Sequence, residues 1–288
     1  MIRNLKYSEI DFEKYNSCLH NSLNYKVFAE KWYLDAVTNL PWNCLVYDNY
    51  KAIMPLPFRK KFGFKYVAQP LFTQQLGVFY KEEISQAIFD DFFKILDKYW
   101  VRSYCFNHHN TVNFKIKGKL QKNYALDLNS TDKQLFAKFR KGTKAEVKVA
   151  EREGVVLQNC TNIEDIAHLN ESFSNYKISP IFRKTFSSIL KQLQNKNQLL
   201  MYVSNLNNEK VGYICMIINE KSIHYLFSSV SMLGKRVGVS HFQIFNIMKQ
   251  YSNQETVFDF LGSEIPGVAK FFRSFGAEEK KYTYYSSF

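Results

Sequence analysis

The chain of 288 residues contains no long hydrophobic run, because nowhere do about 18 apolar residues follow one another without a charge. Its first residues, MIRNLKYSEIDFEKY, also lack the apolar core of a signal peptide. Membrane-spanning and secreted classes are therefore not expected. The sequence predicts a soluble, cytoplasmic protein.

Cysteine is scarce and scattered, with five residues in the whole chain: Cys18, Cys44, Cys105, Cys160 and Cys215. Their number is odd, and their spacing fits neither a zinc site nor a disulfide framework. We expect reduced thiols in the core and no metal site.

Several common catalytic motifs are missing. The chain has no GxGxxG, GxxxxGK[ST] or HExxH, and the segment Gly238 to Phe242 (GVSHF) lacks the closing glycine of GxSxG. Ordinary dehydrogenase, P-loop and nucleophile-elbow chemistries are excluded on this basis. Aminolysis of an activated acyl group needs chiefly orientation, an oxyanion donor and a proton acceptor, so it remains compatible with this chain.

Aromatic residues are frequent, at 17% of the chain, which excludes disorder and predicts a globular fold. The formal net charge is +13, so the surface should attract anions such as phosphorylated substrates, tRNA or anionic lipid. A solvated basic surface explains the same charge without any partner.

Hydrophobic periodicity predicts the same order of elements twice: helices, then antiparallel strands, then a strand-helix-strand crossover. We therefore expect an α+β chain with two lobes, residues 1–128 and 129–288, joined without a flexible linker. Helices are predicted at Ile10–His20 with Ser8 as cap, Tyr25–Thr38, Asp132–Glu153 interrupted at Gly142, and Ile163–Asn175. A basic turn is predicted at Phe58–Lys65, and a hairpin that turns at Gly118 is predicted over Val112–Leu128.

The last third carries the most informative pattern. Ile223–Val230 (IHYLFSSV) predicts a buried strand, and Ser231–Ser240 (SMLGKRVGVS) predicts a loop ahead of a helix. Free amides at that helix start, beside Lys235 and Arg236, would form an anion site. A strand at Val257–Leu261, a helix beginning near Pro266 and a last strand at Tyr282–Phe288 follow.

This order resembles the C-terminal half of a GNAT-like acyltransferase domain, whose Arg/Gln-x-x-Gly-x-Gly/Ala loop binds a cofactor pyrophosphate. Lys235 stands at the Arg/Gln position, Gly238 matches the first glycine, and Ser240 replaces the last residue. The segment FDFLGSEIPGVAKFFRSFGA is similar to the FemABX-like branch of tandem-GNAT transferases.

The resemblance implies two GNAT-like lobes and transfer of an acyl group from acyl-CoA or aminoacyl-tRNA to an amine acceptor. It implies no tightly bound cofactor, with acyl-CoA as a candidate co-substrate. The donor-binding residues it implies are Lys235, Arg236, Gly238, Val239 and Ser240. On this basis we expect Gly238→Trp to abolish activity with little loss of thermal stability.

Two basic segments are candidate substrate sites. In FemABX-like proteins an Arg/Lys-rich helix pair precedes a Gly-Val strand start, which Gly154-Val155 matches, so Arg140 and Lys144 are candidates. Arg59 lies in FRKKFGFK, where cations beside aromatics can hold a phosphate and stack a base. A solvated helix face and protection of an edge strand are the alternatives.

The candidate bases are His241, Glu264 and His108. His241 begins the helix predicted after Ser231–Ser240, and Glu264 follows the VFDFL strand, so either could take a proton from an attacking amine. His108 follows a predicted strand where FemABX-like proteins often carry an aspartate. We expect donor and acceptor to meet in a groove beside Arg236–His241 and Glu264–Gly267, so Gly267 is a candidate substrate-binding residue. Asp259 is expected to be structural or ligand-orienting.

The sequence therefore predicts an N-acyl or aminoacyl transferase. Two alternatives stay open: a non-catalytic module that binds nucleic acid such as tRNA, and a partner-binding protein with a degenerate GNAT fold.

Overall fold

The computed structural model describes residues 1–174 and 177–287. The chain divides into two compact units: unit 1 comprises Met1–Gln121 and the C-terminal residues from Lys281, and unit 2 comprises Lys122–Lys280. This division differs from the expected one, because residues 122–128 belong to unit 2 and the chain returns to unit 1 at its C-terminal end. Within the described ranges, no helix is both long and apolar enough to cross a bilayer.

The described residues form fourteen strands. In chain order they are β1 Ile2–Leu5, β2 Asn43–Tyr47, β3 Ala52–Leu56, β4 Phe58–Lys61, β5 Phe64–Ala68, β6 Phe79–Tyr80, β7 Val101–Phe106, β8 Lys119–Asp127, β9 Val156–Asn159, β10 Leu199–Leu206, β11 Glu209–Ile218, β12 Ser222–Val230, β13 Val257–Asp259 and β14 Glu278–Tyr285.

The same residues form eleven α-helices and two short 3₁₀ turns, Tyr7–Glu9 and Val27–Ala29. The helices are α1 Phe12–His20, α2 Lys31–Val37, α3 Gln86–Asp97, α4 His108–Asn113, α5 Asp132–Lys138, α6 Lys141–Arg152, α7 Ile163–Phe173, α8 Pro180–Asn195, α9 Met232–Arg236, α10 Val239–Gln250 and α11 Pro266–Arg273.

Unit 1 contains two groups of paired strands. Strands β1, β2, β3 and β6 pair antiparallel in that order. In the second group β4 and β5 form an antiparallel hairpin, β5 runs parallel to β7, and β7 pairs antiparallel with β14. Large side chains such as Trp42 and Tyr104 are fully buried in this unit.

Unit 2 is built on a mixed sheet with the strand order β8-β13-β12-β11-β10-β9. Its neighbours are antiparallel except β12 and β13, which run parallel because α9 and α10 connect them as a crossover. Ile214 and Tyr213 are successive on β11 and point to opposite faces. Ile214 joins the core formed with α10, whereas the Tyr213 hydroxyl bonds the Asn170 side chain on α7 at 2.8 Å, so helices cover both faces.

Several local predictions are wrong. Val112–Leu128 is not a hairpin: Asn107 accepts the Asn110 amide at 2.9 Å and starts α4, and β8 follows as a single strand. The helix near residue 140 breaks at Phe139 and Arg140, which are extended, and Gly142 lies inside α6.

Capping and tertiary packing explain the other differences. Ser231 accepts the Gly234 amide at 3.1 Å and starts α9 inside the predicted loop. Asp11, rather than Ser8, caps α1. The predicted helix at Tyr25–Thr38 contains a 3₁₀ turn before α2, and the predicted basic turn at Phe58–Lys65 is the β4–β5 hairpin. Asn175, the last residue of the predicted helix Ile163–Asn175, and Phe288, the last residue of the predicted strand Tyr282–Phe288, lie outside the described residues.

Candidate functional site

The parallel strands β12 and β13 separate soon after they meet. They pair at three positions only, Ser222 with Val257, Ile223 with Phe258, and His224 with Asp259. Strand β12 then continues to Val230 along β11, and within the described chain no strand pairs with its other edge beyond His224. This edge of β12 therefore has no neighbouring strand among the described residues. The separation of the two strands begins directly after His224.

A buried polar chain holds the two strands together where they pair. The Ser222 hydroxyl lies 2.8 Å from Nε2 of His224, and Nδ1 of that ring lies 3.5 Å from the Asp259 carboxylate. Asp259 also accepts hydrogen bonds from the Asn123 side chain at 3.0 Å and from the Leu261 amide at 2.9 Å. Asp259 thus has the structural, orienting position that was expected. The parts played by His224 and Asn123 have no signal in the sequence beyond their place in predicted strands.

Aromatic rings border the opening between the strands. Tyr225, the first residue of β12 beyond the pairing, meets Phe272 of α11 edge-on at 5.6 Å between centroids. Phe272 in turn lies 4.9 Å from Phe260, which follows β13. The Tyr225 hydroxyl hydrogen-bonds to the Ser228 hydroxyl, and burial raises the pKa of Tyr225, so the phenol keeps its proton at neutral pH.

The loop after β13 lies against the backbone of β8. Leu261 and Gly262 are both left-handed, and a Cβ on Gly262 would lie 2.0 Å from the Lys122 carbonyl oxygen, so only glycine fits there. Glu264 is exposed and accepts the Lys122 amide at 2.9 Å. Gly267 is exposed with open space where a Cβ would be, so no neighbour demands a glycine at this position.

The three candidate bases lie in different surroundings. His241, in the first turn of α10, packs against Phe271 at 4.8 Å and Phe275 at 5.7 Å, and burial lowers its pKa. Its imidazole is therefore neutral at neutral pH and can accept a proton. His108 belongs to unit 1, where Nδ1 donates to the Lys281 carbonyl at 2.7 Å. Unit 2 contains both His241 and Glu264.

The predicted donor loop is packed into unit 2. Lys235 and Arg236 are exposed on α9, Val239 is fully buried, and Ser240 is half-buried. Gly238 is left-handed with φ of 74°, and a Cβ there would lie 2.4 Å from the Glu146 carbonyl oxygen on α6. This glycine is required by packing, so the expectation that Gly238→Trp would leave stability nearly unchanged is wrong.

A carboxylate also occupies this region. Oε2 of Glu146 lies 2.9 Å from the position that a Gly238 Cβ would take. The start of α10 thus has a fixed negative charge where an anionic group of the donor was expected. A pyrophosphate would have to displace this carboxylate or bind elsewhere.

The remaining candidate residues lie on basic surfaces. Arg140 is exposed at the N-terminal end of α6, which has no side-chain cap, and its amide donates to Ser274 at 2.8 Å. The Lys144 ammonium donates to the Ala137 carbonyl at the end of α5, at 2.8 Å. Arg59, in unit 1, lies opposite Tyr66 in the β4–β5 hairpin.

Comparison with known proteins identifies the fold. Neither a protein-family model nor a curated protein matches the sequence. The solved structure of FemX is similar with a TM-score of 0.65 and 11% identity, covering 97% of this chain and 96% of FemX. L-PGS from Bacillus licheniformis is similar with a TM-score of 0.55 and 14% identity, covering 96% of this chain and 91% of that one.

A tandem GNAT protein from the clavulanic acid biosynthesis pathway is similar with a TM-score of 0.54 and 9% identity, covering 100% of this chain and 99% of that one. The similarity extends over nearly the whole length of all three proteins. The chain has the tandem GNAT fold shared with FemX, and the two GNAT-like lobes expected from the sequence are confirmed.

Proposed function

We propose that this protein transfers an aminoacyl group from aminoacyl-tRNA to an amine acceptor. The observation that carries the proposal is the separation of β12 from β13 after His224, beyond which no described strand pairs with this edge of β12, beside polar and aromatic side chains. An extended acyl donor can add to such an edge through backbone hydrogen bonds. The tandem GNAT fold, shared with FemX, supports a transferase at the level of fold only.

The surroundings of α10 favour an aminoacyl ester over a thioester of coenzyme A. The backbone and carboxylate of Glu146 lie against Gly238, at the helix start that would receive a pyrophosphate. Unit 2 also has exposed cations on α5 and α6, among them Lys138, Arg140 and Lys141, which suit a polyanionic donor. Acyl-CoA remains the alternative donor, as the resemblance to GNAT-like acyltransferases implies.

The chemistry requires one base and one acid. The acceptor nitrogen attacks the ester carbonyl carbon, the carbon–oxygen bond to the ribose breaks, and an amide forms. His241, neutral at neutral pH, would take the proton from the amine. The Tyr225 phenol, protonated and on β12 directly beyond its pairing with β13, would supply a proton to the departing ribose oxygen.

A transfer assay tests the proposal. The purified full chain is incubated with aminoacyl-tRNAs carrying labelled amino acids, or with labelled acyl-CoAs, and with amine acceptors such as lysine-containing peptides and aminophospholipids. Mild alkali hydrolyses esters and thioesters but leaves amides intact. We expect alkali-stable label on an acceptor from aminoacyl-tRNA.

The design separates the possible outcomes. Stable label from acyl-CoA alone would show that the donor assignment is wrong while leaving a transferase. No stable label from any donor would contradict the proposal, and heat-denatured protein controls for spontaneous aminolysis.

A role without catalysis is the second candidate, and the covered start of α10 favours it. A chain that kept the fold for binding would tolerate Glu146 against Gly238, because no pyrophosphate would need that place. Such a protein would bind tRNA or another partner in a salt-dependent manner and give no amide product in the same assay.

A further inference from the structure

One face of the β4–β5 hairpin in unit 1 combines exposed aromatic rings with cations. Residues directly opposite each other in an antiparallel pair lie on the same face, and alternate residues along a strand do as well. Lys61 pairs with Phe64, and Arg59 pairs with Tyr66, so all four share this face. We call it the aromatic face.

The aromatic face borders a cavity of about 730 Å³. The lining residues are Lys61, Phe62, Phe64, Tyr66, Trp100 and Arg102. Phe62 is 86% exposed, Phe64 is 67% exposed, and Trp100 is 55% exposed. So much apolar ring surface in one concave place marks a binding site more often than an ordinary surface.

The charges of the cavity have one sign. Lys61 and Arg102 contribute cations, and none of the lining residues carries a carboxylate. Among the described residues, neither of these two side chains forms an ion pair with Asp or Glu. The Lys61 ammonium lies 5.1 Å from the centre of the Phe62 ring, so the cation stays beside the aromatic surface.

We infer that the aromatic face binds single-stranded RNA, with bases stacked on the rings and phosphates held by Lys61 and Arg102. Every base has a π-face, and proteins that bind single strands combine such rings with a positive groove. The cavity is concave and is bordered by these rings and cations.

This inference goes beyond the proposed aminoacyl transfer and does not depend on it. The aromatic face lies in unit 1, whereas the strand opening belongs to unit 2. RNA binding and amide formation are measured separately, so one can fail while the other stands.

Fluorescence anisotropy with a labelled single-stranded oligoadenylate of about 8 nucleotides tests the site. The full chain should bind this strand more tightly than an RNA duplex of equal length. Phe64→Ala should weaken binding about 10-fold, because one stacking surface is lost. Lys61→Ala should weaken binding and lower the slope of log K against log salt by about 0.7.

Lys60→Ala provides the matched control. Lys60 pairs with Lys65 on the opposite face of the same hairpin and is exposed, so its removal takes away the same charge without touching the aromatic face. We expect Lys60→Ala to change the affinity less than about 3-fold. Circular dichroism checks that Phe64→Ala, a change at an exposed position, leaves the fold intact.

Two results would overturn the inference. Equal affinity for single strand and duplex, with Phe64→Ala binding like the wild-type chain, would mean that only general electrostatics operates. Absence of RNA binding together with Phe64-dependent binding to phosphatidylglycerol vesicles would assign the aromatic face to a membrane surface.

Discussion

A Cβ atom on Gly238 would lie 2.4 Å from the carbonyl oxygen of Glu146, so α10 starts in direct contact with the backbone of α6. No side chain can be added at this position without moving one of the two helices. The glycine that resembles a cofactor-loop residue in the sequence is therefore also a packing residue.

Gly238→Ala should destabilise the protein by about 2 kcal/mol or more, since a left-handed residue and a backbone clash combine. Urea denaturation measures the change. Gly142→Ala is the control, because Gly142 lies inside α6 with open space around it, and alanine there should be neutral or stabilising by up to about 1 kcal/mol. Equal stability of the Gly238→Ala variant and the wild-type chain would contradict the packing role.

The stability of the protein should depend on pH through His241. Burial lowers the pKa of His241 in the folded state, whereas an unfolded histidine has a pKa of about 6.5. As the pH falls below that value the unfolded chain binds the extra proton first, so folding stability is lost.

Denaturation of the wild-type chain and the His241→Gln variant across this range tests the effect. The free energy of unfolding of the wild-type chain, relative to that of His241→Gln, should decrease as the pH falls through about 6.5. His168→Gln, which removes an exposed imidazole on α7, is the control. A His241→Gln curve parallel to that of the wild-type chain would show that this ring does not titrate differently on folding.

Asp259 should matter for the stability of the strand junction. Asp259→Ala leaves the buried Asn123 side chain and the Leu261 amide without their acceptor, at a cost of about 2 kcal/mol or more. Asp259→Asn keeps an acceptor oxygen in nearly the same volume and should lose less. Denaturation midpoints measure the loss of stability in both variants. Equal losses in Asp259→Ala and Asp259→Asn would mean that the charge itself stabilises the junction.

Tyr225→Phe should separate chemistry from folding. The ring contact with Phe272 is preserved, so stability should change by no more than about 1 kcal/mol, the worth of the lost hydrogen bond to Ser228. If the phenol supplies the proton to the leaving group, kcat should fall about 100-fold. Transfer kinetics and denaturation of the same preparation check both values, and an unchanged kcat would exclude the hydroxyl from the reaction.

Local patterns in the sequence predicted much of unit 2. The aromatic and β-branched run at Ile223–Val230 is a strand, and Pro266 begins α11 as its position suggested. Errors arose where a distant contact decides the local structure. The break at Phe139 and Arg140 depends on packing against Phe275 and on the Ser274 carbonyl, and neither contact can be read from the residues of the helix itself.

Prediction of the candidate site from the sequence was limited in the same way. The sequence indicated His241 and Glu264 as bases but could not rank them, since only the tertiary structure shows that burial between α10 and α11 lowers the pKa of His241, while Glu264 is exposed and accepts a backbone amide. Tyr225 was missed as a functional residue, because nothing in IHYLFSSV distinguishes the ring beside the strand opening from its neighbours.

By itself the sequence determined most helices and strands of the crossover, because hydrophobic periodicity and turn residues act over short distances. Its resemblance to FemABX-like transferases implied the tandem GNAT fold. The tertiary structure alone decided where β12 leaves β13, which side of α10 is covered and which rings border the opening. Those features depend on contacts between residues far apart in the chain, such as Gly238 with Glu146 and Asn123 with Asp259.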